Sequence, residues 1–152
     1  MSKFDKQALE NIARSWVDGW NKNDVDSFAA LYAENGEYMD PGFGILRRGH
    51  DFVKMHYGQW RRAAPDFRMT AERIIAGDGE AVVIVQAIGE GTYNGVSLGD
   101  GTMDATGLPF RARLCAVLAL DDNGKITRCT EYYDPAQMPN GVKPPLRDLD
   151  NI

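Results

Sequence analysis

The sequence predicts an α+β fold in which three N-terminal helices pack on a curved antiparallel or mixed sheet and enclose a pocket. Up to Ala64 the apolar residues follow helical spacing, whereas after Pro65 the pattern becomes that of strands joined by short Gly- and Asp-containing turns. A chain of 152 residues with 43% hydrophobic content can bury one core. We therefore expect a single domain over residues 1–134.

The first helix is predicted from Phe4 to Trp20. Its large apolar side chains recur every fourth residue, which places them along one buried face; they are Phe4, Ala8, Ile12, Trp16 and Trp20. Asn23-Asp24 is expected to end this helix and to cap a second, short helix from Val25 to about Tyr32.

A strand over residues 37–40 is expected to end at the turn pair Pro41-Gly42, with residues 43–46 pairing back as a hairpin. The third helix is predicted from about His50 to Ala64. Pro65 stops it because proline has no amide proton to donate.

Four segments then read as strands, joined by short turns suited to antiparallel hairpins: residues 67–76, 81–88, 108–120 and 125–133. The glycine-rich stretch from Gly89 to Gly107 lacks the Lys-Ser/Thr pair of a P-loop and is expected to be an exposed loop over a pocket mouth. Residues 135–152 contain four prolines and are expected to form an extended tail.

The formal net charge of −5 argues against a nucleic-acid or anionic-membrane partner, and Arg47-Arg48 is too small a basic cluster to change that. The N-terminus shows no apolar export signal, so we predict a cytoplasmic protein. Cys115 and Cys129 are then expected to be free thiols. Two cysteines without a Cys-x-x-Cys spacing do not make a metal site, so we expect no metal. We also expect no cofactor.

One segment resembles a known family. The run from Leu31 to Pro41, LYAENGEYMDP, is similar to the ketosteroid isomerases and, more broadly, to the nuclear-transport-factor-2-like (NTF2-like) superfamily of cone-shaped domains. The runs Arg48-Gly49-His50-Asp51 and Ala64-Pro65-Asp66-Phe67, and the segment from Glu131 to Pro135, resemble the SnoaL-like polyketide cyclase branch more closely.

This resemblance implies roles for individual residues. It places the catalytic base on Asp40, and it places two tyrosines that support the oxyanion hole on Tyr32 and Tyr57. The positions of the family's oxyanion donors carry Trp16 and Ala116, and an alanine donates no hydrogen bond. Because stabilising the oxyanion is commonly the largest catalytic contribution, steroid enolisation is disfavoured.

Strand alternation predicts which side chains face the cavity. If Ala116 points inward, so do Ala112, Leu114 and Leu118, while the partner strand contributes Cys129, Glu131 and Tyr133, with Leu114 roughly opposite Glu131. Burial in an apolar cavity raises the pKa of a carboxyl group, which makes Asp40 and Glu131 candidates for proton transfer. Helix phase places His56 beside Asp40, where the two could exchange a proton.

Other side chains are candidates for ligand contact rather than chemistry. Aromatic rings on the first and third helices can pack against a flat ligand, and the candidates there are Trp16, Trp20 and Trp60. Gln86 and Tyr133 are expected on the strand walls of the pocket, and Tyr93 at its rim. Each also has an ordinary structural interpretation. Asp-Pro often only shapes a turn, and a buried His or carboxyl group is often simply hydrogen-bonded.

Two classes of function follow. The first is a cofactor-independent acid/base enzyme acting on a hydrophobic carbonyl compound by cyclisation, isomerisation or dehydration. The second is a non-catalytic module that binds a small molecule or docks a protein, because this fold serves both. Epoxide hydrolysis is less favoured. Glu131 stands where limonene-epoxide-hydrolase-like relatives carry an active-site Asp, but their Arg and second Asp have no clear match here, Ile88 and Glu90 being the nearest positions. A homodimer is expected through the sheet face of Arg111, Arg113, Arg128 and Thr130.

Overall fold

The computed structural model describes residues 4–42, 44–94, 106–134 and 137. Within them the chain forms three helices followed or interrupted by six strands, which confirms the predicted α+β class. The helices are α1 (Lys6–Lys22), α2 (Val25–Ala29) and α3 (His50–Ala63). The strands are β1 (Tyr32–Asp40), β2 (Ile45–Arg48), β3 (Arg68–Ala76), β4 (Val82–Tyr93), β5 (Leu108–Leu120) and β6 (Ile126–Tyr133).

The strands form one open, mixed sheet in the order β2-β1-β6-β5-β4-β3. Strands β1 and β6 are parallel, and all other neighbours are antiparallel. The register of the parallel pair shifts between Tyr32 and Glu37. Gly36 lies in this irregular stretch, where a Cβ would stand 2.6 Å from the carbonyl oxygen of Ile126. The close approach of the two backbones therefore requires glycine.

Helix α1 begins after Asp5, whose carboxylate accepts a hydrogen bond from the Ala8 amide at 2.8 Å. It ends at Asn23, which has the left-handed φ of 55°. Its most buried residues are Leu9, Ala13, Trp16, Val17, Gly19 and Trp20. The predicted buried stripe was therefore right at Trp16 and Trp20 but wrong at Phe4, Ala8 and Ile12, which are only half-buried. Four-residue steps advance by 40° around a helix, so a long stripe drifts off the buried face.

The second helix is shorter than predicted, because Tyr32 already belongs to β1. Strand β4 is longer than predicted and extends through Gly89 and Gly91 to Tyr93. A Cβ on Gly89 would lie 2.9 Å from Cε2 of Phe67, so this glycine permits close packing rather than loop freedom. Tyr93 pairs with Leu108 and is fully buried, which corrects its expected place at a rim.

The expected loop over the pocket mouth therefore begins after Tyr93 rather than at Gly89. Its residues 95–105 lie outside the described residues. The predicted tail, residues 135–152, also lies outside them except for Gln137, which is buried.

The inner face of β5 and β6 follows the predicted alternation. Ala112, Ala116 and Leu118 are buried, and so are Cys129 and Glu131 on β6. The register is two residues away from the expected one, because Ala116 stands opposite Glu131 and Leu114 opposite Tyr133. An irregularity between Ala119 and Leu120 accounts for part of this offset, and an even shift keeps every side chain on its face. Both cysteines are free.

Candidate functional site

A cavity of about 50 Å³, measured as the space open to the centre of a water molecule, lies between the helices and the inner face of the sheet. Apolar and aromatic side chains form most of its wall, and a few polar groups converge in it. The lining residues are Trp20, Tyr38, Asp40, Ile45, His56, Gln59, Trp60, Phe67, Met69, Gly89, Phe110, Ala112, Leu114, Glu131 and Tyr133.

Asp40 ends β1 and is only 4% exposed. The hydroxyl group of Tyr133 donates a hydrogen bond to both of its carboxylate oxygens, at 2.8 and 2.7 Å. Burial, and then the negative charge of Asp40, raise the pKa of Tyr133 far above its usual value, so the phenol keeps its proton and remains the donor. The carboxylate is thereby oriented from β6.

Glu131 lies two residues before Tyr133 on β6 and therefore points to the same face. Burial raises the pKa of its carboxyl group to about 8; the nearby Tyr38 hydroxyl lowers the pKa and the charge of Asp40 raises it, each to a smaller extent. Glu131 is therefore mainly a neutral carboxylic acid at pH 7. The cavity thus holds two carboxyl groups in different environments.

Three buried polar atoms of cavity-lining residues have no partner with full hydrogen-bond geometry among the described residues: Oε1 of Glu131, the hydroxyl of Tyr38 and Nε1 of Trp20. The Tyr38 hydroxyl and the Glu131 carboxyl group nevertheless interact with each other, and this interaction lowers the pKa of Glu131. Burial, and then Glu131, raise the pKa of Tyr38 well above its usual value, so this phenol is also protonated. An unsatisfied buried polar group destabilises a fold by roughly 1–3 kcal/mol. All three atoms belong to residues that line the same cavity.

His56 also lines the cavity, with its ring centroid 4.2 Å from that of Tyr38. Burial, followed by the nearby positive charge of Arg47, lowers the pKa of His56 to about 3, so its imidazole is neutral. Within the described part of the chain, His56 and Asp40 form no hydrogen bond. The predicted exchange of a proton between them is not supported by this geometry, because a desolvated ring beside a guanidinium disfavours the imidazolium.

Trp16, Tyr32 and Tyr57 are buried in the core and none of them lines the cavity. Nε1 of Trp16 donates to the Tyr32 hydroxyl at 3.1 Å, and the Tyr57 hydroxyl donates to the carbonyl of Gly19 at 2.9 Å. This corrects the expectation that Trp16 contacts a ligand, and it places Tyr32 and Tyr57, to which the resemblance gave the support of an oxyanion hole, away from the cavity. The reason is that their polar atoms are used within the core, while Trp20, which stacks on Tyr57 at 4.9 Å between ring centroids, is the ring that reaches the cavity.

The remaining candidates divide between wall and surface. Trp20, Trp60 and Tyr133 line the cavity, whereas Ala116 is buried without lining it. Gln86 is exposed on the opposite sheet face, paired with Cys115, so its expected place on the wall is wrong. Residues 82–85 are apolar on both faces of β4, and alternation therefore does not set the phase of this strand.

Sequence reasoning missed two polar residues of the wall, Tyr38 and Gln59. Tyr38 had a signal, because it lies two residues before Asp40 on one strand and must share its face. Gln59 had a weaker signal, because it lies three residues after His56 and therefore on the same side of the helix, although helical spacing alone does not distinguish a polar residue at a cavity edge from one in solvent.

The outer face of the sheet carries paired charges. Glu37 is bound by Arg48 and Arg128, each at 2.6 Å, and the two guanidinium groups lower its pKa. Arg111 lies 3.6 Å from Glu90, and Arg113 lies 3.2 Å from Glu72. The arginines of the expected dimer face are thus partnered within the chain. The homodimer itself stays a prediction.

No group of three or more His, Cys, Asp and Glu side chains in residues 4–42, 44–94, 106–134 and 137 is arranged to hold a metal ion. None of the helices in that part of the chain combines the length and apolar character needed to cross a membrane.

Comparisons with known proteins agree with this architecture. The family model of the SnoaL-like domain matches residues 13–129. No curated protein sequence matches the chain. Among solved structures, one similar protein is from Jannaschia sp. CCS1 and is provisionally named a SnoaL-like polyketide cyclase. Its TM-score is 0.76 at 18% identity, and the match covers 95% of this chain and 98% of that protein.

Two further structures are similar. A ketosteroid isomerase-like protein of Catenulispora acidiphila DSM 44928, in complex with trimethylamine, has a TM-score of 0.72 at 17% identity and covers 87% of this chain and 93% of its own. SalBIII, an epoxide hydrolase/cyclase-like enzyme of pyran ring formation in the polyether salinomycin, has a TM-score of 0.70 at 20% identity, covering 88% and 95%. At these identities the likeness shows a shared fold.

Proposed function

The chain belongs to the SnoaL-like domain family, and on that premise we propose that it is a cofactor-independent acid/base enzyme acting on a hydrophobic carbonyl compound. One observation carries this proposal. The cavity holds two buried carboxyl groups with different partners: Asp40, hydrogen-bonded by Tyr133, and Glu131, whose Oε1 has no partner with full hydrogen-bond geometry in the described residues. Two carboxyl groups in unlike environments can divide the roles of base and acid.

The wall supports an apolar or aromatic substrate with one polar end. Trp20, Trp60, Phe67 and Phe110 offer flat rings to its body. The Tyr38 hydroxyl, Nε1 of Trp20 and the neutral Glu131 acid would donate to its carbonyl oxygen. In this proposal they replace the family's oxyanion donors, whose positions are occupied here by Trp16 and Ala116.

The proposed reaction begins when the Asp40 carboxylate removes a proton from the carbon next to the carbonyl. The electron pair of the broken C–H bond forms the C=C bond of an enolate, and the negative charge moves to the carbonyl oxygen. The buried donors stabilise that charge, commonly the largest catalytic effect in such reactions. Tyr133 keeps the carboxylate aimed at the substrate.

A cyclisation then completes the cycle. The enolate carbon attacks a second carbonyl of the same molecule: one C–C bond forms, the π bond of that carbonyl breaks, and its oxygen becomes an alkoxide. The alkoxide takes up the proton held by Asp40, or a proton from Glu131, which then regains one from Asp40, so that both carboxyl groups return to their starting states. The product of this aldol step is an isomer of the substrate, so the balance requires no oxidant, reductant or cofactor. Isomerisation and dehydration begin with the same proton abstraction and differ in where the proton is returned.

The test compares wild type with Asp40→Asn on a panel of β-keto aromatic compounds. Ligand binding is followed by tryptophan fluorescence, since Trp20 and Trp60 line the cavity, and turnover by absorbance. We expect Asp40→Asn to bind as wild type does but to lose about a hundredfold or more of the rate, the usual contribution of a general base. Asp122→Asn, at an exposed position in the turn after β5, is the matched control.

Unchanged turnover in Asp40→Asn would contradict the role of this base. Tight binding by wild type without conversion of any compound would instead support a non-catalytic binding module of the same fold.

A further inference from the structure

We propose that Arg47 and Gln59 form an anion-binding subsite at the edge of the cavity, so that the ligand carries a carboxylate beside its apolar part. This inference rests on the proposed function only in placing the ligand in the same cavity, and it narrows the class of substrate.

The strand register puts Arg47 on the cavity face of the sheet. It stands opposite Tyr38 in the antiparallel pair of β2 and β1, and two residues from Ile45. Both Tyr38 and Ile45 line the cavity. Because alternate residues and cross-strand partners share a face, the Arg47 side chain lies on that face at the sheet edge, whereas Arg48 lies on the other and binds Glu37.

The contacts of Arg47 lead into the cavity wall. Its Nη2 donates to Oε1 of Gln59 at 3.3 Å, and Gln59 lines the cavity. Because the guanidinium takes the amide oxygen, the Nε2 group of Gln59 is the end that remains to donate to a ligand. The charge of Arg47 also contributes, after burial, to the lowered pKa of His56, another residue of the wall.

The charge of Arg47 has no counter-ion among the described residues. Its Nε is buried and without a hydrogen-bond partner there, whereas four other arginines on the sheet, Arg48, Arg111, Arg113 and Arg128, each pair with a glutamate. A partly buried cation without a partner destabilises a fold. The planar guanidinium fork matches a carboxylate, which would supply the missing negative charge.

The experiment uses two ligands of nearly equal shape, naphthylacetate and its neutral amide naphthylacetamide, with binding followed by tryptophan fluorescence. We expect wild type to prefer the carboxylate by about tenfold, which corresponds to one charge-assisted hydrogen-bonded pair. Arg47→Gln should abolish the preference by weakening carboxylate binding alone, and retained affinity for the amide shows that its cavity is intact. Arg47→Lys should keep part of the preference.

Arg48→Gln is the matched control, because it removes one positive charge from the adjacent position on the opposite face, and it should keep the wild-type preference. Equal affinities of wild type for the two ligands, or an undiminished preference in Arg47→Gln, would overturn the subsite.

The outcome is separable from that of the proposed function. A carboxylate preference that depends on Arg47, without turnover of any compound, supports the subsite and contradicts the enzyme. Turnover that depends on Asp40, without a preference between the two ligands, supports the enzyme and contradicts the subsite.

Discussion

The hydroxyl group of Tyr133 donates to both carboxylate oxygens of Asp40, at 2.8 and 2.7 Å, although 93 positions separate the two residues in the chain. The parallel pairing of β1 with β6 brings them together, because parallel neighbours end at the same edge of a sheet. Each residue is the last of its strand. A strand end therefore positions the candidate base.

Removing this hydrogen bond should slow catalysis more than it weakens binding. In Tyr133→Phe the carboxylate loses its anchor, and we expect kcat to fall by up to about a hundredfold with a small change in KM. Steady-state kinetics on any compound that wild type converts measures this split. Tyr132→Phe, 55% exposed, is the control and should behave as wild type. Unchanged kcat in Tyr133→Phe would show that Asp40 needs no positioning from β6.

The raised pKa of Glu131 makes stability depend on pH. Its pKa of about 8 in the fold lies above its ordinary value of 4.5, so the folded protein holds this proton more tightly than the unfolded chain. The resulting stabilisation is complete below the ordinary value and is lost as pH rises through about 8. Urea unfolding between about pH 6 and about pH 9 should show this decline, and Glu131→Gln should remove its share of the slope. An identical slope in both proteins would contradict the assignment.

His56 should respond in the opposite direction. Its pKa of about 3 in the fold lies below the ordinary value of 6.5, so the fold favours the neutral ring. This contribution to stability is present above the ordinary value and is lost as pH falls toward about 3. Nitrogen NMR of the imidazole, assigned by comparison with His56→Gln, should report a neutral ring at about pH 5. A charged ring there would refute the burial argument.

A side chain at Gly89 should lower the stability of the fold. A Cβ there would stand 2.9 Å from Cε2 of Phe67, whose ring packs against Trp60 and Phe110 in the cavity wall. We expect Gly89→Ala to lower the free energy of unfolding by about 1–3 kcal/mol, as overpacking does. Gly58→Ala is the control, because its Cβ would meet only the flexible end of Arg62 at 3.2 Å on a helix that favours alanine. Equal stability of wild type and Gly89→Ala would mean that Phe67 can move aside.

Much of the fold was predictable because its signals are local. Asp5 and Asn23 bound α1, Pro65 follows α3 closely, and Pro41 follows β1, each through the hydrogen bonds or dihedral angles of a few neighbouring residues. The resemblance of three short runs, residues 48–51, 64–67 and 131–135, predicted the SnoaL-like family, and the match to the SnoaL-like domain confirmed it. The prediction that Gln86 faces the cavity was wrong, because the first residues of β4 are apolar on both faces and their pattern does not show which face points inward.

The sequence by itself determined the α+β class, the order of most elements and the inward faces of β5 and β6, because helical and strand periodicities act over a few residues. Only the tertiary structure decided that Tyr133 holds Asp40, that Tyr38 lies beside Glu131, and that Arg47 reaches the cavity edge through Gln59. Alternation specifies the face of a side chain but not which distant strand lies beside it. That choice depends on how the whole sheet packs against the helices, where burial also determines which carboxyl group stays neutral.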